Sequence, residues 1–323
     1  MTLVRLGYAA MSMNVKNCSP SQTVTYAQFM KMKDREAAMN KLEKVAGSNL
    51  TNCLRLLRHN AAHDIDFFRL SSRLIPLANH PDLQGWNYML PLDAVLNTVR
   101  TYLLEHPSIR IDFHPDHFVV LNTKDSNTFQ TVLKTLKMHH QLLKGMGIDP
   151  EHRCVLHVGG GYGNKEKALE QFIHNWGLIP FRLQKMILLE NDDTTFTLRE
   201  TLYLCEKLGI PLVFDYHHHL AHHEEGVSWE KDWERVVDTW KGSKLPLKMH
   251  ISSPRSEKAF RAHADFIDAK NFMDFLNQIK GSVSQIDIMI EAKRKDDALF
   301  ELMRDLCQES GVEPISGASF YVR

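Results

Sequence analysis

Short apolar runs recur along the whole chain, and the later ones each stop at an acid or a histidine. Ile109–Phe113 is followed by His114, Cys154–Leu156 by His157 and Met186–Leu189 by Glu190. Pro211–Phe214 then leads to Asp215, Leu247–Met249 to His250 and Ile286–Ile290 to Glu291. The runs are rich in Val, Ile, Leu or Phe and bounded by turn or polar residues, the signature of strands buried on both faces of a parallel sheet. Two earlier runs, Leu3–Tyr8 and Phe67–Leu70, bring the count to eight. Between the strands, helical periodicity predicts helices over Asn127–Gly145, Lys165–Trp176, Thr194–Leu208, Trp229–Trp240, Lys270–Ile279 and Asp296–Cys307. Residues 20–65 read as a longer first crossover of two helices, rich in Met and Lys. Strand and helix alternate to the end, which predicts parallel pairing through right-handed crossovers. The expectation is an α/β fold, a single-domain (β/α)8 TIM barrel with a metal site at the C-terminal ends of its strands. Residues 311–323 are assigned to no element.

Composition narrows the function classes without choosing among them. A chain of 323 residues can hold one barrel with insertions. With 39 basic and 39 acidic residues the formal charge is zero, unlike a protein that simply coats nucleic acid. Bound metal ions would add positive charge that this balance omits. Five cysteines, Cys18, Cys53, Cys154, Cys205 and Cys307, are odd in number and far apart, which is neither a disulfide framework nor a zinc ribbon and suits a reducing cytoplasm. No basic segment followed by a long apolar one opens the chain, and no 18-residue apolar stretch occurs, so neither secretion nor membrane insertion is expected.

The strand-end residues carry the chemistry. Glu190 closes the apolar strand MILLE, where a carboxylate has to be paired, protonated or bound to metal. A helix cap or salt bridge would account for one such acid, but six successive strands end this way. Ligands on adjacent strands sit about 5 Å apart, so His114, His157 and Glu190 can reach one ion, and Glu190, Asp215, His250 and Glu291 a second. Glu190 would then bridge ions roughly 3.5–4 Å apart, an arrangement that activates water and steadies phosphoryl transfer. Asp215 opens a His-rich stretch in which the Asp-x-x-His spacing favours His218 as a ligand, with His217 as the alternative. His263 lies in the long loop after the seventh strand and can fold back over the site; His80, after the second strand, is a weaker candidate of the same kind. Lys248, two residues before His250, shares its strand face. As an ammonium it is electrostatically wrong inside a metal cluster, so it must be neutral, turned aside or carbamylated, unless it serves a phosphate site. Glu190, Asp215 and Lys248 are the candidate catalytic residues.

Two loops suggest nucleic acid. In Gly159–Lys165 the glycines let backbone N–H groups approach an anion at a helix start, although the spacing fits neither a P-loop nor a dinucleotide fingerprint. Gly160, Tyr162 and Lys165 are its candidate contacts, and Arg255 after strand seven is a further one. After His114, Pro115 stiffens a loop presenting His117 and Phe118, a planar pair able to stack on a base or wedge into a duplex.

Nine ordered segments resemble the UV DNA damage endonuclease family: LGYAA (6–10), FRLSSRLIP (68–76), RIDFHPDHFVVLN (110–122), LHVGGGYGNKE (156–166), LLENDD (188–193), FDYHHH (214–219), KMHISSPR (248–255), HADFID (263–268) and MIEAK (289–293). The resemblance runs from residue 6 to about residue 300. It implies a metal-dependent (β/α)8 barrel related to endonuclease IV, nicking UV-damaged double-stranded DNA just 5′ of cyclobutane pyrimidine dimers and (6-4) photoproducts. It further implies three manganese ions held by His114, His157, Glu190, Asp215, His218, His250, His263 and Glu291, with His80 and Lys248 near the cluster. Tyr8 resembles a family tyrosine close to the damaged nucleotides, and His117 and Phe118 stand where many members have Gln and Tyr. Arg261 stands where endonuclease IV has an aspartate. No obligate protein partner is implied, and a monomer is expected. The rivals are a metal-dependent sugar isomerase or epimerase on the same barrel, which needs no aromatic wedge, and a damage-binding module that no longer cuts, which needs no complete ligand set.

Overall fold

The computed structural model describes residues 1–323. Eight parallel strands form the barrel: β1 (Thr2–Ala9), β2 (Phe67–Arg69), β3 (Arg110–Asp112), β4 (Cys154–His157), β5 (Ile187–Glu190), β6 (Leu212–Asp215), β7 (Leu247–Ile251) and β8 (Gln285–Ile290). Their spatial order is β3-β2-β1-β8-β7-β6-β5-β4. The ring is drawn together between β3 and β4, where Phe113 N–H donates to Arg153 O at 2.7 Å and Val155 N–H to Phe113 O at 3.0 Å. Gly7 shows how tightly β1 and β2 pack: a Cβ there would lie 2.2 Å from the Phe67 carbonyl oxygen.

Helices α1 (Tyr26–Lys31) and α2 (Arg35–Ala62) form the first crossover, and α4 (Ser126–Gly145) and α5 (Lys165–Trp176) follow β3 and β4 as expected. Between them lies α3 (Met89–Glu105), absent from the sequence reading although Leu92, Leu96, Val99 and Leu103 recur at helical spacing and are buried. After the short α6 (Phe181–Gln184), α7 covers only Leu198–Leu208, not the whole of Thr194–Leu208. The Asp192 carboxylate accepts from the backbone N–H groups of Thr194 at 2.9 Å and Phe196 at 3.0 Å, holding a turn that delays the helix until Thr197 caps it. The His-rich stretch after Asp215 forms α8 (Tyr216–Ala221), capped by Asp215. The predicted helix from Trp229 divides into a 3-10 turn (Trp229–Lys231) and α9 (Trp233–Thr239), and α10 (Ala269–Ile279) and α11 (Lys295–Leu306) complete the set.

The unassigned tail is a hairpin, β9 (Val312–Ser316) and β10 (Ser319–Val322). β10 pairs antiparallel with Thr2–Arg5 of β1, below the point at which β2 joins at Gly7. It buries Phe320 and Val322 at the end of the barrel away from the strand-end ligands.

Inside the barrel, a layer of buried charge lies beneath those ligands. Asp287 receives Arg5 Nη2 at 2.7 Å and Arg110 Nη1 at 3.0 Å, while Asp112 receives Arg110 Nε at 3.1 Å and Lys248 Nζ at 3.1 Å. Charges this deep persist because each faces an opposite partner. No helix is long and apolar enough to cross a membrane.

Candidate metal centre

Three carboxylates and five imidazoles converge at the C-terminal mouth of the barrel, with Glu190 at their centre. Glu190 ends β5 with no exposed surface. Its Oε2 lies 2.8 Å from His114 Nε2 and 3.9 Å from His157 Nε2, and its Oε1 lies 3.0 Å from His250 Nδ1 and 3.3 Å from His218 Nδ1. Asp215 reaches His218 Nδ1 at 3.7 Å, and Glu291 reaches His250 Nδ1 at 3.4 Å and His263 Nδ1 at 3.9 Å. The parallel register sets this up, since His157 pairs with Glu190 and Asp215 with His250 across adjacent strands. All eight residues read from strand ends and loops meet in one cluster. His218, not His217, turns toward Glu190; the His217 ring stacks on Phe260 with centroids 5.5 Å apart.

Burial and mutual charge set the protonation states. Burial alone would raise the Glu190 carboxyl, but His250 and His157, with hydrogen bonds from His114 and His218, hold it well below the usual carboxylate range. Burial pushes Asp215 up to about 7, with Glu190 and Glu291 adding to the rise against His218. His218 runs the other way: burial disfavours its charge, yet Asp215, Glu190 and Glu291 raise it to about 11. Burial lowers His250 to about 4 and lowers His157 as well. Burial would raise Glu291 too, but Arg69, which donates to it, and His250 keep it well below the usual range.

The donor set fits divalent cations. Asp215 Oδ2 and His250 Nε2 are buried without any hydrogen-bond partner, as is His157 Nδ1. Two groups of three ligand atoms, His114/His157/Glu190 and Glu190/Asp215/His250, each lie within 4.8 Å of one another and share Glu190. Carboxylate oxygens mixed with imidazole nitrogens suit manganese, iron or zinc, and such cations supply the charge that orphaned buried lone pairs lack.

Other expected site residues lie elsewhere. His80 caps a 3-10 turn at Pro81–Leu83 and stacks on Tyr26, centroids 3.9 Å apart, with no contact to the cluster. Lys248 sits a layer below His250 and turns aside to Asp112; burial first lowers its ammonium, to about 8, with Asp112 opposing. Tyr8 has no exposed surface, and its hydroxyl donates to Asn60 Oδ1 at 2.6 Å, so its expected place beside the nucleotides gives way to a core position. Lys165 is drawn to Glu200 at 2.9 Å, while Tyr162 and Arg255 are exposed and the Gly160 carbonyl accepts from Asn122. His117 and Phe118 stand out on the rim beyond buried Pro115, their rings 5.9 Å apart. Three functional neighbours escaped the sequence reading: Arg69, Asp112 and Asn191. Arg69 ends β2 as the ligands end their strands, a signal that was there to be used. Asn191 donates to Asp215 O and accepts from Asp215 N–H, both at 2.9 Å, locking β5 to β6 beneath the cluster.

Comparison with known proteins bears on the family and the fold. A protein from Halalkalibacterium halodurans named UV DNA damage endonuclease is 51% identical over 314 residues, covering 97% of this chain and 97% of that one. The solved structure of SacUVDE superposes with a TM-score of 0.82 at 30% identity, covering 94% of this chain and 98% of the other. Endonuclease IV from Thermus thermophilus shares the fold, with a TM-score of 0.53 at 14% identity over 93% of this chain and 98% of its own. The profile of the family described as UV-endonuclease UvdE matches residues 4–321, and the chain belongs to that family.

Proposed function

We propose that this protein is a repair endonuclease that hydrolyses one phosphodiester of UV-damaged double-stranded DNA, just 5′ of cyclobutane pyrimidine dimers and (6-4) photoproducts. Three manganese ions held by His114, His157, Glu190, Asp215, His218, His250, His263 and Glu291 complete the reading, with the enzyme a cytoplasmic monomer. The observation that carries it is the Glu190 carboxylate shared by both ligand groups at the centre of the cluster. Divalent cations bound there supply Lewis-acid activation of water and charge for the departing 3′ oxygen.

The chain's own residues then have separate tasks. Glu190 stays ionised among four imidazoles and would help to hold the cations. Asp215, which burial pushes up to about 7 in the metal-free cluster, would give up that proton to serve as a ligand. His117 and Phe118 would fill the gap left by an extruded lesion, which leaves the stack more cheaply than a normal pair. A sugar isomerase or epimerase is disfavoured by family membership and by that exposed pair. The test is a plasmid assay: irradiated plasmid should be nicked with Mn²⁺, while EDTA or omission of the irradiation should leave it closed. Nicking in EDTA, or equal nicking of unirradiated plasmid, would overturn the reading.

Metal binding should also depend on pH with a definite sign. His218 at about 11 holds its proton at neutral pH in the metal-free cluster, so a cation must displace that proton to use the nitrogen. Affinity therefore rises with pH and binding releases protons. Mn²⁺ titrations in two buffers of different ionisation enthalpy should report this release, with affinity climbing from about pH 6 to about pH 8. A flat profile with no proton release would contradict the assignment of His218 as a ligand.

A further inference from the structure

The loop leaving β1 is fastened in an unusual way beside the cluster. Ala10 takes a φ of 65°, a left-handed conformation that a residue with a Cβ rarely keeps unless its surroundings hold it. The Ala10 N–H donates to Arg69 O at 2.8 Å, and one buried carboxylate holds the residues that follow. Asp296, in the first turn of α11, accepts from Met13 N–H at 2.7 Å, from Asn14 Nδ2 at 3.1 Å and from the Ser12 hydroxyl, and it lies 3.0 Å from His59 Nε2. Ser12 Oγ in turn accepts from the N–H groups of Asn14 at 2.9 Å and Val15 at 3.2 Å, and Asn14 Nδ2 also reaches Asp297 at 2.8 Å. Three successive residues are thus tied to one charge.

What this fastening displays is two large apolar side chains in water. Met11 is 42% exposed and Met13 47%, on the same barrel face as the exposed Phe118 and Tyr162. Residues 10–14, Ala-Met-Ser-Met-Asn, carry no Lys or Arg. Methionine is unbranched and polarisable, and it belongs to the small set of apolar side chains that proteins wedge between base steps. β1 and β3 flank β2, which places this loop across one strand from His117 and Phe118.

We propose that Met11 and Met13 form a second apolar contact to the bases of the damaged duplex, and that Asp296 is the positioning residue that aims them. The inference rests on the endonuclease reading above. Affinities are measured at one fixed salt concentration for a duplex carrying a single thymine dimer and for the same duplex undamaged. The M11A/M13A variant should bind the damaged duplex about tenfold more weakly, in line with losing one stacking-type contact, and the undamaged duplex less than about twofold more weakly. D296N and the milder S12A should move the same way, S12A carrying the comparison should D296N not fold. Adding D296N to the methionine-free variant should cost less than about a further twofold, because Asp296 acts through those side chains. Equal losses on both duplexes, or additive losses in the combined variant, would overturn the proposal. If wild type binds both duplexes equally, the endonuclease reading fails and takes this inference with it. If wild type discriminates and M11A/M13A discriminates equally well, only the inference fails.

Discussion

Glu190→Gln is expected to abolish nicking while leaving affinity for damaged DNA within a few fold of wild type. The substitution keeps the shape of a fully buried side chain but removes its charge from a position between His114, His157, His218 and His250. A neutral amide cannot bridge two cations, and its NH2 group would face ring nitrogens that now share a carboxylate. Metal-assisted phosphodiester hydrolysis draws several kcal/mol from the ions, so losing the bridge should slow cleavage by about a thousandfold or more. Binding should survive because contacts to phosphates and grooves, outside this cluster, hold and orient the duplex. Bound metal, measured by elemental analysis, should fall in parallel, and a thermal unfolding curve checks that the barrel is intact. Metal-dependent cleavage at the wild-type rate, with normal metal content, would sink the central assignment.

The ligand cluster was legible in the chain because the physics that buries a strand makes its terminal acid conspicuous. MILLE and LVFD leave Glu190 and Asp215 nowhere to be solvated, so each has to be paired, protonated or bound to metal, and the neighbouring strands end in residues suited to that. The Asp-x-x-His spacing favours His218, and His218 is the ring that faces Glu190, because Asp215 caps α8 and the third residue onward lies over its carboxylate. What stayed hidden depends on partners distant in sequence. Lys248 meets Asp112, 136 residues away; Tyr8 meets Asn60 at a separation of 52; Lys165 meets Glu200 at a separation of 35. No local pattern announces such pairings, and each converts an apparently free functional group into a structural one. The polar layer of Arg5, Arg110, Asp112 and Asp287 was missed for the same reason, since a charge within an apolar run betrays its partner only once the strands are in register. Helix α3 is a different kind of miss, because its buried positions recur at helical spacing and needed only to be counted.

Replacing both rim rings, His117→Ala with Phe118→Ala, should weaken binding to UV-damaged duplex by about 1–3 kcal/mol per stacked base, between about fivefold and about 150-fold for one base. The pair projects from a turn in which Val119 N–H donates to Asp116 O at 2.9 Å, on a loop begun by buried Pro115. That turn sets the backbone beneath the rings before DNA arrives, so less conformational entropy opposes their insertion. Phe118 is 57% exposed, so its removal costs the folded protein little and a loss of binding cannot be attributed to unfolding. Undamaged DNA, held through phosphate contacts and counterion release, should lose much less affinity when both duplexes are compared at the same salt concentration. Metal content should stay at the wild-type level, because neither side chain belongs to the cluster around Glu190. The result that matters is the ratio of the two losses. Were both duplexes to weaken equally, His117 and Phe118 would be packing between loops, and recognition of the lesion would have to lie elsewhere on the rim.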